Sequence, residues 1–568
     1  MNKITPDFLA RSREAFSANL GMSLQALRDR IAMSESGTFR RDMLSALDTT
    51  ARLFGRDLSQ IPATAKAVRT LLASKTAAQL GISEKRYQNV RSCLASAIRH
   101  HADSPQPITK RIPLIDSWQV LLGRIEKRSY RMALNRLAAF CSHLEVSPNQ
   151  VDQKVLMGFF EALEAEEIVK VPRRLLKHTI AHWNMCRRQV AGWPDVILSS
   201  PFKEVPISLS LSAFPPSFQA DLERWQKRLL DSDIFDPDAP AKALRPVTVA
   251  GHVDIILRFA SVLARQDHAS TEAITGLEVL VDIDRYKAGL RFFLARSKGK
   301  ATPYIGRMAT LLRSIAKYHC KLDEPALKQL EIITRNLESR GPRQLTAKNR
   351  ERLRQFDDPD NVAKLLAFPQ EERARGLKQK NPVRAAKCFE RALAVGLFIN
   401  CTLRIGTLRL IDMTTDLSWV SGKCFLSIDG SRVKTAYPLE FEIPEDVAAL
   451  LQEYVRDHRP HLAGAEGPYL FPGRDGGPRP HSTMRHDFSD VMRKRAGLVM
   501  NPHLIRHAIA KIVVERDPSL YAMISRQLGH KRMDMTMQHY LGTESRASGR
   551  HINKLLRQAL ADPKIKEE

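Results

Sequence analysis

Apolar residues recur at helical spacing through most of the chain. In 39–54, Met43, Leu44, Leu47 and Leu53 fall near one face. Ser83 opens a further helix that runs to His100. The same period returns within 114–200 at Leu134, Leu137, Cys141 and Leu144. It returns again in 248–265 at Val253, Ile256, Leu257 and Phe259, and in 302–318 at Ile305, Met308, Leu311, Leu312 and Ile315. Proline-containing breaks at 103–113 and 200–216 separate these blocks, and Asp357-Asp-Pro-Asp360 precedes another helix. The period changes to two in 424–430 and 433–444, which flank the turn residues Asp429-Gly430. Helix returns from Glu445, interrupted by the Gly- and Pro-rich loop 471–480. The pattern predicts a mainly α protein with a small antiparallel β-sheet in its C-terminal region. It divides the chain into four domains: 1–105, 114–205, 216–345 and 350–560, of which the helical second is a candidate for DNA binding.

Composition narrows the class. A chain of 568 residues is too long for one core. An apolar fraction of 43% and a charged fraction of 27% are ordinary for globular domains. A net charge of +27 is not, and the excess is spread along the chain rather than gathered in a tail. That distribution fits an extended polyanion as partner. The seven cysteines form no C-x-x-C pair, which argues against a disulfide scaffold or zinc ribbon and suits a reducing cytosol. The N-terminus shows no secretory pattern, and the longest apolar run, 392–399, is too short to cross a bilayer. There is no P-loop, dinucleotide fingerprint or H-E-x-x-H.

One constellation carries chemistry. Arg404 lies in Cys401-Thr-Leu-Arg-Ile-Gly406; His503, Arg506 and His507 lie in Asn501-Pro-His-Leu-Ile-Arg-His507; His530 follows in Leu528-Gly-His-Lys531; Tyr540 comes after. Helical spacing after Asn501-Pro502 puts His503, Arg506 and His507 on one side, with Leu504 and Ile505 toward the core. Phosphoryl transfer needs a nucleophile, cations on the non-bridging oxygens and groups that move two protons. Guanidinium suits the second task, because its planar fork donates parallel hydrogen bonds to phosphate and stays charged. A donor aimed at developing charge in such a site is typically worth roughly 3–4 kcal/mol.

In order and approximate spacing these residues resemble the tyrosine recombinase (phage integrase) family, over about 350–560. The resemblance implies a multi-domain clamp on double-stranded DNA, with 216–345 as the helical domain facing the catalytic one. It implies Arg404 and Arg506 as phosphate-clamping arginines, His503 as acid/base, His530 as a further phosphate ligand and Tyr540 as nucleophile. Lys434, on the expected sheet with Lys423 and Arg432, corresponds to the proton donor for the 5′-oxygen. No metal or cofactor is implied. A tetramer on two DNA sites, accessory proteins and a mobile-element role also follow from the resemblance, and the cysteine usage and lack of sorting signals suit a bacterial cytoplasmic location, nucleoid-associated when on DNA. Three departures stand. Thr407 takes the place of a common acidic residue. Tyr540 lies ten positions after His530 where nine is commoner, so that His539 holds the usual place. The lysine has neighbours able to replace it. The apolar stripe Ile552, Leu555, Leu556 and Leu560 resembles a tail that docks on a neighbouring subunit. Two other readings fit the same chemistry or charge: a type IB topoisomerase, and a catalytically inactive DNA-binding accessory protein.

Overall fold

The computed structural model describes residues 22–34, 36–102, 113–202, 207–231, 235, 240, 242–266, 268–337, 345–433, 437–529 and 553. Helices dominate, and the described residues contain one named sheet, three-stranded and antiparallel, as the periodicity predicts. The chain forms two compact units: Met1–Pro201 with Arg343–Glu568, and Phe202–Pro342.

Within the first unit, apolar side chains gather into three clusters. One is built on Leu27, Leu47, Val68 and Leu94, one on Trp118, Phe140, Phe159 and Trp183, and the third on Phe368, Phe389, Phe398 and Leu504. Polar ties join them. The Arg69 guanidinium donates to the backbone oxygens of Glu164 (3.1 Å) and Glu167 (2.5 Å), and Arg136 bonds the buried Glu167 carboxylate. Thr76 Oγ1 donates to the Arg493 carbonyl, and Arg493 Nη2 donates back to that of Ala73, each at 3.0 Å.

The third cluster is organised by the helix Pro382–Cys401, buried along most of its length. Its start follows from sequence. The Asn381 side chain accepts from Arg384 N, and Pro382 occupies the first turn, where a missing N–H costs nothing. Around it lie the helices Pro359–Leu377, Glu445–Glu453 and Pro502–Arg516. Arg479 pins the 471–480 loop to this helix by donating to Glu390 (2.7 Å), and it shares Asp487, on the helix His481–Val491, with Arg391 (2.8 Å each).

The sheet consists of β1 (Leu417–Val420), β2 (Lys423–Ile428) and β3 (Leu439–Ile443), in the order β1-β2-β3. Cys424, Leu426 and Ile428 point into the core, the alternation expected of a half-buried strand. Two details correct the sequence expectation. β1 was not anticipated; it joins β2 through Ser421 and Gly422, both at positive φ (50° and 79°), as a tight hairpin requires. Asp429-Gly430 is not a hairpin turn. Asp429 caps a 3-10 turn, Gly430–Arg432, Val433 is fully buried, and β3 begins at Leu439 rather than Val433.

The second unit packs Phe218, Ile256, Phe259, Tyr286, Met308 and Leu312 into its own cluster. Its helix Pro246–Arg265 is long and apolar enough to cross a membrane by length and composition alone, and Ile256, Phe259, Ala260 and Leu263 are buried in that cluster. The carboxylate of buried Asp221 accepts from Leu277 N (2.8 Å) and His319 Nε2 (2.9 Å), tying three segments together.

Burial alone would raise the Asp487 carboxyl, but the hydrogen bonds and charges of Arg391 and Arg479 outweigh it and hold it below the ordinary carboxylate range. Its stabilisation is therefore complete above the unfolded Asp value, about 4, and is lost as pH falls through the lower folded value. Asp487→Asn is expected to cost about 3–5 kcal/mol near neutral pH, because two half-buried or buried cations each lose a charged partner. Denaturant midpoints followed into acid should fall less steeply for the variant than for the parent chain.

Candidate active site

The central helix ends at Thr402, fully buried and in the left-handed region (φ 43°, ψ 35°). A β-branched residue there carries strain and persists only when its surroundings fix it. Thr402 Oγ1 donates to the Gln527 carbonyl at 3.2 Å, and Gln527 Nε2 donates to that of Asn400 at 2.6 Å. The chain then extends through Arg404 (φ −77°, ψ 143°) into the short helix Ile405–Leu408. The N–H groups of Thr407 and Leu408 bond the Arg404 carbonyl at 2.9 and 2.8 Å, so the buried Thr407 serves the turn. Arg404 itself is half-buried, and desolvation pushes its guanidinium below the ordinary value. Among the described residues its side chain makes no hydrogen bond or ion pair.

The helix Pro502–Arg516 starts where the Asn501 side chain accepts from His503 N and Leu504 N, both at 3.0 Å. His503 is exposed at its first turn, whereas Arg506 and His507 are each only 5% exposed. The structure thus splits the trio that sequence placed on one side, one residue outward and two inward. His503 and His507 still meet: their Nε2 atoms are 3.3 Å apart and their rings stand nearly perpendicular, at 88°. One turn on, buried Lys511 pairs with Asp357 (2.7 Å) and Glu515 (2.5 Å) and anchors the helix.

Arg506 assembles the site. Its Nη1 donates to the Thr402 carbonyl and its Nη2 to the Leu528 carbonyl at 2.5 Å. Thr402 leads into Arg404. Leu528 follows the helix Tyr521–Gln527 and precedes Gly529, at φ 62°. One guanidinium therefore satisfies the buried carbonyls at two helix ends, otherwise unpaired among the described residues, and brings the Arg404 turn to the segment before His530.

His530, Tyr540 and Lys434 lie outside the described residues, as do Ile552, Leu555, Leu556 and Leu560. Of the two alternatives to Lys434, exposed Lys423 is paired across the sheet with Glu442 at 2.7 Å. Arg432 is bound to buried Asp416 and to the Leu410 carbonyl. Among the described residues no three His, Cys, Asp or Glu side chains converge to hold a metal. Sequence reading missed Thr402, Gln527 and the Asp416–Arg432 pair. Only Gly529, a helix-ending glycine after Leu528, gave a local signal.

No family model matches the chain, and no curated protein matches it. Among solved structures it is similar to XerA recombinase, at 15% identity and a TM-score of 0.23, over 56% of this chain and 92% of that one. It is similar to a lambda integrase dimer bound to a COC′ core site, at 16% identity and a TM-score of 0.33, over 64% and 86%. The XerH site-specific recombinase bound to its difH substrate, in the pre-cleavage complex, gives 13% and 0.29, over 56% and 89%. Likeness this distant leaves the functional reading to the residues themselves.

Arg404 and Arg506 should separate under substitution. Arg506→Ala removes the partner of two buried carbonyls and is expected to cost about 2–5 kcal/mol. That cost should appear as a fall of about 2–4 °C in Tm per kcal/mol. Arg404→Ala should leave Tm within a degree or two of the parent while abolishing the rise in Tm that added sulfate or phosphate produces. Thermal scans with and without the anion read both effects.

Proposed function

We propose that the chain is a site-specific DNA recombinase or integrase that cuts and rejoins strands through a 3′-phosphotyrosyl intermediate. The observation that carries the reading is Arg404, a half-buried guanidinium without a protein partner among the described residues, held on a turn that buried Arg506 fixes. A desolvated cation so placed favours an anion as its ligand, and a phosphodiester fits both its charge and its fork.

In this reading Tyr540 attacks the scissile phosphorus as its proton passes to His503. The P–O5′ bond breaks, Lys434 protonates the departing 5′-oxygen, and the 3′-phosphate remains on the tyrosine. Attack by a 5′-hydroxyl reverses the sequence on a new partner strand. Arg404, Arg506 and His530 neutralise the non-bridging oxygens as charge develops. The phosphotyrosyl bond retains the energy for rejoining, so the scheme needs no high-energy cofactor. Segment 350–560 acts as the catalytic domain and 216–345 as its helical partner around duplex DNA. Assembly as a tetramer on two sites, possible accessory proteins, service to a mobile element and a place on the bacterial nucleoid complete the proposal.

A nicked suicide substrate covering DNA that flanks the encoding gene tests it. The parent chain should leave a covalent protein–DNA band and a free 5′-hydroxyl, and Tyr540→Phe should leave neither. A band that persists in Tyr540→Phe overturns the choice of nucleophile. Tight binding without a band in either chain overturns the enzymatic reading in favour of an accessory protein.

A further inference from the structure

The helices Arg128–His143 and Pro172–Gln189 contain no aspartate or glutamate between them. Their inner faces make an ordinary core: Leu134, Leu137, Phe140 and Cys141 on one, Leu176, Ile180, Trp183 and Cys186 on the other. Thr179 Oγ1 donates to the Ala133 carbonyl at 3.2 Å, and the two helices pack side by side. The outer side is different. Arg128, Arg131, Arg174 and Lys177 are exposed, and among the described residues none of the four has an acidic partner. Two arginines that do have one, Arg136 with Glu167 and Arg187 with Asp195, find it outside both helices.

Rings line the seam between the two helices. Tyr130 meets His182 edge-on at 5.1 Å, His178 stacks with His182 at 6.1 Å, and Lys127 sits 5.3 Å from the Tyr130 ring.

Such an arrangement costs stability. Like charges three or four positions apart, as at Arg128 and Arg131 or Arg174 and Lys177, repel by a few tenths of a kcal/mol per pair, and an acid at that spacing would reverse the sign. A surface that omits every such acid is matched to an extended anion.

We propose that this face is a second DNA interface, which binds the phosphate backbone of a duplex separately from the strand-cutting site. Lysine and arginine on a rigid surface supply affinity and salt dependence without reading sequence. Such an interface is independent of strand cleavage and would serve an enzyme and an inactive DNA-binding protein alike.

The test compares two charge-matched triple variants of the full chain. Arg131→Gln/Arg174→Gln/Lys177→Gln removes three cations from the face, and Arg56→Gln/Lys66→Gln/Lys85→Gln removes three exposed cations from the 22–102 region. Fluorescence anisotropy of an intact duplex is read across a salt series, with Tm recorded for each protein. The first variant should keep the parent Tm and bind more weakly. Its slope of log affinity against log salt should be shallower by about 2–3, near 0.9 for each phosphate that is no longer neutralised. The second variant should lie close to the parent. Equal losses in both variants, or none in the first, overturn the proposal. Tighter binding of a duplex RNA of the same length, lost in the first variant, overturns the assignment to DNA.

Discussion

The candidate site depends on one buried cation. Arg506 lies in the core with its guanidinium spread between the carbonyls of Thr402 and Leu528. A desolvated charge is costly unless its donors are used, and buried carbonyls at helix ends are costly unless something donates to them. Here each requirement meets the other. The central helix can stop in a strained left-handed threonine because Arg506 and Gln527 hold that threonine from two sides. Arg404, two residues on, inherits a fixed position from a turn it does not itself stabilise.

Arginine serves as a strut elsewhere in the same region. Arg459 donates to the carbonyls of Ala465, Gly467 and Tyr469 and shapes the loop beyond the helix Glu445–Glu453. Arg479 fastens the following loop to Glu390 and Asp487. Both are buried, as Arg506 is, and a planar fork of donors suits all three tasks where lysine would not. The large positive charge of the chain therefore divides by location. Arg459 and Arg479 are absorbed by carbonyls and acids, while Arg404 and the acid-free helical face are left for anions.

How legible this was depends on how local each signal is. The helix starts at Ser83 and Asn501 were readable because cap and first turn lie within a few residues. The strand Lys423–Ile428 was readable because alternate residues are buried. β1 was not: it is four residues long, and Ser418, Trp419 and Val420 face solvent, so it leaves no alternation. Asp429-Gly430 read as a hairpin turn because its residues suit one. A distant partner decided otherwise, when Arg432 reached Asp416 and carried Val433 into the core. In the site, His503 and Arg506 were visible as a helical pair. Their separation into an exposed and a buried residue was not, because it depends on which helix ends lie next to Arg506.

The most direct measurement is mass spectrometry of a trapped protein–DNA adduct after digestion with protease and nuclease. The account predicts a nucleotide joined by a phosphodiester to the peptide that contains Tyr540. The same mass on a peptide containing Tyr521, or on any serine or histidine peptide, would contradict it.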